Sequence, residues 1–210
     1  MRVVAVTPEY AADLVTWHYP APYDCYDVSD VDPEFFLDPR NGFFALVSGS
    51  DELIGFRSFG ADGRVPGGDY DDSALDTGGG LRPSLTGQGL GRQAIATGLD
   101  FGRRRFAPRA FRVTVASFNS RALRVVTSLG FRPVSSFAAT TDGRRFEILV
   151  RPEVAPGACS IAVRAGADAG RDVPALRLFR GQAHGQRRRA GGLVRGVRAT
   201  IPVAARLAAA

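Results

Sequence analysis

The chain contains no lysine. All 27 of its basic residues are arginine, which reads as a GC-rich coding bias rather than as function. That absence excludes a Walker-type phosphate loop, which needs a lysine after its last glycine. Cysteine is nearly absent as well: Cys25 and Cys159 stand far apart in 210 residues, too few for a disulfide framework. No run approaches the ~18 apolar residues of a membrane span. The opening segment, Met1-Arg2-Val3-Val4-Ala5-Val6-Thr7-Pro8, lacks the apolar stretch of a secretion signal. The expectation is a cytoplasmic enzyme of one large or two small domains. With 45% hydrophobic residues, it can bury a proper core.

An even spread of positive charge is also missing, although the net charge is +6. Residues 1–152 hold 17 Arg against 18 Asp and Glu, a balance of −1; residues 153–210 hold 10 Arg against 3 acidic residues, a balance of +7. The basicity belongs to the tail, so it is no argument for nucleic-acid binding by the rest. The triplet Arg103-Arg104-Arg105 has no interleaved aromatics and reads as a solvated helix end.

Glycine, by contrast, is concentrated in one place. Between Leu75 and Arg92 the chain reads L-D-T-G-G-G-L-R-P-S-L-T-G-Q-G-L-G-R. A short strand ends in Leu81-Arg82-Pro83, and a turn follows at Ser84-Leu85-Thr86. The glycine-alternating loop Gly87-Gln88-Gly89-Leu90-Gly91 then opens into a helix-compatible segment, Arg92–Phe106. The first turn of a helix presents N–H groups without intrahelical partners, at the positive end of its dipole. Glycines let an anion approach the backbone closely. Such a loop either binds phosphates or is a plain strand-to-helix turn. A dinucleotide fingerprint could be forced onto Gly89-Leu90-Gly91-Arg92-Gln93-Ala94, but it wants an acidic residue closing the next strand. That strand, Phe111–Ala116, runs into Ser117-Phe118-Asn119 without a carboxylate. The remaining phosphate-loop reading is the pyrophosphate loop of an acyl-CoA-dependent N-acetyltransferase.

The downstream residues favour it. L-R-P, then T-G-Q-G-L-G-R, a helix, the strand F-R-V-T-V-A-S and finally F-N-S-R-A-L-R-V-V-T-S-L-G-F-R-P together resemble the GNAT family of N-acetyltransferases. The likeness is close over roughly 60 residues and extends as a strand layout over about 1–150. It implies a GNAT domain over 1–152, an α/β (α+β) fold with a central mixed, mostly antiparallel twisted sheet of about seven strands and helices on both faces. It implies acetyl-CoA as co-substrate, no metal, and direct transfer to a primary amine on a small molecule or peptide, by a monomer or homodimer. The co-substrate would lie between splayed fourth and fifth strands, held by Gly79, Gly80, Leu81, Gly87, Gln88, Gly89, Leu90, Gly91 and Arg92. The N–H near Leu81 would polarise the thioester carbonyl, a contribution of ~3–4 kcal/mol in other acyl transfers. Asn119 would touch the pantetheine arm while also serving as N-cap of the helix Ser120–Leu129, which Gly130 stops.

Elsewhere, a first strand is expected over Arg2–Thr7, and a short helix from Pro8-Glu9 to Trp17. Asp32 caps a second short helix bearing Phe35, Phe36 and Leu37. In the resemblance this region walls the acceptor pocket. Trp17, Tyr19, Phe35 and Phe36, taken singly, read as core; the cluster Tyr19, Tyr23, Asp24, Tyr26, Asp27 is harder to bury, and Tyr23 and Asp24 would suit a cationic amine. Strands follow at Phe43–Ser48 and Leu53–Phe59, joined by Gly49-Ser50-Asp51-Glu52. Residues 60–72 form a polar loop and Ser73–Leu81 a strand, whose Gly78-Gly79-Gly80 run suggests a bulge or a close backbone approach. Phe131–Ala139 and Arg145–Val150 make a final hairpin turned at Thr141-Asp142-Gly143. The Ala/Gly/Arg-rich stretch 153–210 reads as a disordered tail, with a weak amphipathic helix near Leu193–Leu207 as the alternative.

Acyl transfer to an amine also needs a base and an acid for the leaving thiolate. Many members of the family carry a tyrosine acid seven residues after the capping asparagine; here that position is Val126. The ribosomal-protein alanine acetyltransferases carry a glutamate on the fifth strand, where Thr114 stands. Asp76, five residues before Leu81, matches a glutamate base of the fourth strand, acting through water, or else bonds a nearby backbone N–H; Asp71 and Asp72 flank it. These departures leave a second reading open, a degenerate domain that binds acyl-CoA with little turnover. A third places the function in the basic tail.

Overall fold

A computed structural model describes residues 1–153. The expected tail therefore lies outside the described residues, apart from Glu153. The chain opens with β1 (Arg2–Ala5), α1 (Pro8–Leu14) and α2 (Pro33–Leu37), then β2 (Phe43–Val47), β3 (Leu53–Phe59) and β4 (Leu75–Leu81). It continues through α3 (Gly91–Phe106), β5 (Ala110–Ala116), α4 (Ser120–Ser128), β6 (Arg132–Ala138) and β7 (Arg145–Pro152). The seven strands form one mixed sheet in the order β1-β2-β3-β4-β5-β7-β6, antiparallel throughout except for β4 and β5.

Strand alternation sends neighbouring side chains to opposite faces. On β2, Ala45 and Val47 join Leu14, Trp17 and Phe36 from the α1–α2 side, while Leu46 between them packs with Ala94 of α3. A further cluster, Leu99, Phe111, Val113, Val126 and Phe131, seats α3 and α4 against β5 and β7. The sheet is thus covered on both faces. Trp17 and Phe36 are core residues, at 4% and 2% exposure.

The parallel pair sets the architecture of the site. β4 and β5 pair only at Leu75–Phe111 and Asp76–Arg112, although β4 runs on to Leu81 and β5 to Ala116. Beyond Asp76 they diverge, and β4 holds to β3 alone, in unbroken register from Phe59–Thr77 to Gly55–Leu81. The glycine run is therefore not a bulge. It answers to close approach: a Cβ on Gly79, whose φ is +150°, would stand 2.4 Å from the Phe56 carbonyl oxygen and 3.0 Å from Cδ of Arg57.

Several boundaries shift for local reasons. Thr7 does not end β1. It caps α1, its Oγ1 accepting from the Tyr10 N–H at 3.3 Å. That helix stops at Leu14, before Trp17. Ser73 lies in a turn, bonded to Asp71 Oδ1 through both N–H and Oγ, so β4 begins at Leu75. The basic triplet forms the last turn of α3, and Arg103 pairs there with Asp100 and Glu153 at 2.7 and 2.6 Å.

Candidate active site

The open end of the β4–β5 gap gives onto a cleft of about 380 Å³ between the chain after β4, the start of α3, one side of α4, and the turn containing Tyr19 and Tyr23. Gly87, Gly89 and Gly91 line it. Gly87 and Gly89 hold φ of +76° and +80°, in the left-handed region that costs any residue with a Cβ. A Cβ on Gly89 would meet nothing within 4 Å, and one on Gly87 only Arg121 Nη1 at 3.7 Å, so the loop is shaped by its backbone conformation and leaves room beside it. Leu90 precedes α3 without a side-chain cap on its first turn. The first turn of α3 follows this loop directly, and uncapped N–H groups at a helix start are of the kind that suit an anion.

Arginine surrounds this loop. Arg92, Arg121 and Arg124 line the cleft, and among the described residues no aspartate, glutamate or histidine does. Arg92 Nη1 donates to Ser128 Oγ at 2.6 Å and to its carbonyl at 3.0 Å, tying the start of α3 to the end of α4. Arg121 stacks over the Tyr23 ring, 4.2 Å from its centroid, and donates to the Tyr23 hydroxyl at 3.1 Å. Helical spacing explains why Arg121 and Arg124 project together. Sequence reasoning attended to the apolar face of α4 and missed both.

Of the other residues expected to hold the co-substrate, Leu81 and Asn119 line the cleft. Gly79 and Gly80 line a smaller cavity behind it, which Leu81 and Gly91 share. Gln88 and Leu90 line neither; Gln88 bonds back to the Ser84 carbonyl at 2.7 Å, and Leu90 packs toward Leu46 and Ala94. Asn119 is buried, accepts from the Ala122 N–H at 3.0 Å as N-cap of α4, and donates to the Tyr26 hydroxyl at 3.4 Å.

The acceptor side is corrected in part. Tyr23 lines the cleft, but Asp24 is exposed and does not. Asp27 is taken up by the Tyr19 N–H at 2.8 Å and His18 Nδ1 at 2.9 Å. The described cleft therefore holds no carboxylate for a cationic amine. Tyr19, read singly as core, is buried yet lines the cleft and donates its hydroxyl to the Leu81 carbonyl at 2.7 Å. Burial, with the Asp27 charge adding to it, pushes the Tyr19 phenol well above its ordinary range, so it is a fixed neutral donor at the end of β4.

Asp76 is the clearest correction. It lies where β4 and β5 still pair, away from the cleft. Its side chain is 1% exposed. Arg112 grips it with Nε on Oδ1 at 2.6 Å and Nη2 on Oδ2 at 2.9 Å, and Arg64 Nε adds a third bond at 2.7 Å. A carboxylate so occupied, in the closed end of the gap, is placed to pin the paired strands rather than to reach an amine in the cleft. Asp71 joins the same network through Arg112 Nη1 at 2.9 Å. Val126 is 1% exposed in the core, and Thr114 bonds Tyr70 at 3.1 Å, so neither supplies the missing acid or base. Among the described residues no cluster of three or more His, Cys, Asp or Glu could hold a metal. No helix among them is long and apolar enough to cross a membrane.

Comparison with known proteins bears on the fold. The model of the acetyltransferase (GNAT) family matches residues 9–131. No curated protein matches. Among solved structures, a spermidine N-acetyltransferase SpeG chimera of Vibrio cholerae and hSSAT superposes with a TM-score of 0.56 at 14% identity, over 71% of this chain and 94% of that one. A GNAT-family acetyltransferase from Bacillus anthracis gives 0.54 at 14% identity, over 72% and 95%. A ribosomal-protein-S5-alanine acetyltransferase from Vibrio fischeri gives 0.51 at 13%, over 71% and 91%.

Proposed function

Because this chain belongs to the acetyltransferase (GNAT) family, we propose that it is an acetyl-CoA-dependent N-acetyltransferase that carries the acetyl group directly to a primary amine. The observation that carries the reading is the coincidence of three features at one place. The β4–β5 gap opens just where the Gly87–Gly91 loop delivers the uncapped start of α3, and three arginines line the cleft between them. The loop backbone suits the pyrophosphate, and arginine suits further phosphate charge. The gap offers β4 main-chain groups to a thioester arm, with the segment near Leu81 as oxyanion donor.

Among the described residues no carboxylate or imidazole lines the cleft. The amine therefore reaches the thioester already neutral, having lost its proton to solvent. The pH–rate profile should then follow the ionisation of the acceptor amine and change when the amine is changed. An acidic limb fixed near the ordinary carboxylate range for every acceptor would contradict this. The acceptor class is a primary amine on a small molecule or a peptide, received beside Tyr23.

Titration calorimetry with acetyl-CoA tests the reading directly, with a Gly89→Glu variant alongside. The substitution sets a side chain on a positive φ and negative charge in the loop. The parent binds, and the variant loses roughly a hundredfold in affinity, about 3 kcal/mol. A parent that does not bind acetyl-CoA sinks the proposal. The same absence of base and of a tyrosine at Val126 favours one rival, an acyl-CoA-binding module without turnover. Binding without acetylation across an amine panel, followed by free-thiol release, would select it.

A further inference from the structure

Behind the cleft, between the diverging strands and α3, lies a cavity of about 30 Å³. Gly78 to Leu81 of β4 and Val113 and Thr114 of β5 bound it, and Leu81, Gly91 and Ile95 are shared with the cleft in front. Among the described residues its lining contains one ionisable side chain, Arg57.

Arg57 is an anomaly among the described arginines. It is 5% exposed, and Thr77 Oγ1 at 3.0 Å is its hydrogen-bond partner, while Nε has none. No carboxylate pairs with it among the described residues. Arg112, buried to 4% exposure at the other end of the same gap, is held by two carboxylates. Removing a guanidinium from water costs several kcal/mol unless an anion answers it. Space for Arg57 has been made at the expense of side chains: a Cβ on Gly98 of α3 would stand 2.7 Å from its Nε, and one on Gly79 2.9 Å from Nη1. Burial pulls its pKa down to about 10, which leaves it cationic at neutral pH.

Val126 lines the same cavity. This is the position at which the family resemblance places the acid for the leaving thiolate, and it carries no proton to give. The volume selects among anions. At about 30 Å³ the cavity suits a single heavy atom better than a carboxylate-bearing acyl chain. Apart from Arg57 and the hydroxyl-bearing Thr77 and Thr114, its described walls are apolar or backbone and hold no second charge, so a charge pair inside it is weakly screened. We propose that Arg57 is the counter-cation for the coenzyme A thiolate released in the transfer, and takes over electrostatically what a proton donor at position 126 would do. The amine lone pair forms the N–C bond, the C–S bond breaks, and sulfur keeps the electron pair as thiolate beside Arg57. The amine proton goes to solvent, and the thiolate is protonated from water after leaving. The proposal rests on the acyl-CoA reading above.

The test titrates the thiol of coenzyme A bound to the full-length protein, followed by the ultraviolet absorbance of the thiolate. An opposite charge nearby lowers a titration midpoint by about 1–3 pH units. The bound thiol of the parent should titrate at least about one pH unit below free coenzyme A. Arg57→Met should return it to the free value or above, and Arg57→Lys should keep part of the depression. A parent whose bound thiol titrates like free coenzyme A overturns the proposal, as does an equal depression in Arg57→Met. Should Arg57→Met not fold, Arg57→Lys and Thr77→Val replace it, and a titration unmoved in both overturns the proposal. Failure of the parent to bind coenzyme A overturns the underlying reading; binding with an unshifted thiol overturns this inference alone.

Discussion

The two ends of the β4–β5 pair are built on opposite principles. At the closed end, Asp76 and Arg112 face each other across the parallel ladder, with Arg64 and Asp71 completing a fully partnered charge network. At the open end the strands part around glycine, and the buried charge there, Arg57, has no carboxylate among the described residues. The fold keeps its charges satisfied at the closed end and leaves one in want of a partner at the open end. A saturated ion pair pins backbone, whereas an unanswered cation beside an empty volume is available to a ligand.

Breaking the closed end should have the largest effect on stability. Asp76→Asn takes the charge from one of the two carboxylates that hold the buried Arg112, and removing one member of a buried pair costs about 3–5 kcal/mol. Chemical denaturation should show that loss. The turnover of the fraction that remains folded, and the acidic limb of its pH–rate profile, should be unchanged. A lowered kcat at full stability would restore Asp76 to catalysis.

The open end can be sharpened from the helix side. Glycine inside a helix is ordinarily worse than alanine by about 1 kcal/mol. Gly98→Ala should reverse that sign and cost about 1–3 kcal/mol, because the new methyl strikes Arg57. A stabilised Gly98→Ala would mean that Arg57 moves aside freely and is not held at the cavity.

The smallest expected change is Tyr19→Phe. It leaves the buried Leu81 carbonyl without its 2.7 Å donor, at a cost of about 1–2 kcal/mol. The pH dependence follows from the raised phenol. Its folded midpoint lies above the unfolded value of about 10, so its contribution is complete below that pH. It is lost as the pH rises beyond it, because the unfolded chain gives up the proton first. Parent and variant should therefore differ by a constant amount at neutral pH and converge in strong alkali.

Local chemistry made much of this legible in the chain itself. Glycine at positive φ, an uncapped helix start and Asn119 as a cap are properties of a few consecutive residues, and the expected loop, α3 and α4 stand where their residues put them. Even the departure at Val126 was readable, since it is a matter of spacing from Asn119. What the spacing could not say is which partner a charge meets. Asp76 and Arg112 are 36 residues apart, and only strand pairing places the aspartate to pin the strands rather than to reach the cleft. The same holds for Asp24, whose position beside Tyr23 in the chain does not place it in the cleft. Arg57 looks like any strand arginine until β4 and α3 close over it. Backbone conformation is set by short-range sterics that a sequence displays, whereas the state of a charge depends on long-range neighbours and on the water they exclude, and tertiary structure alone decides those.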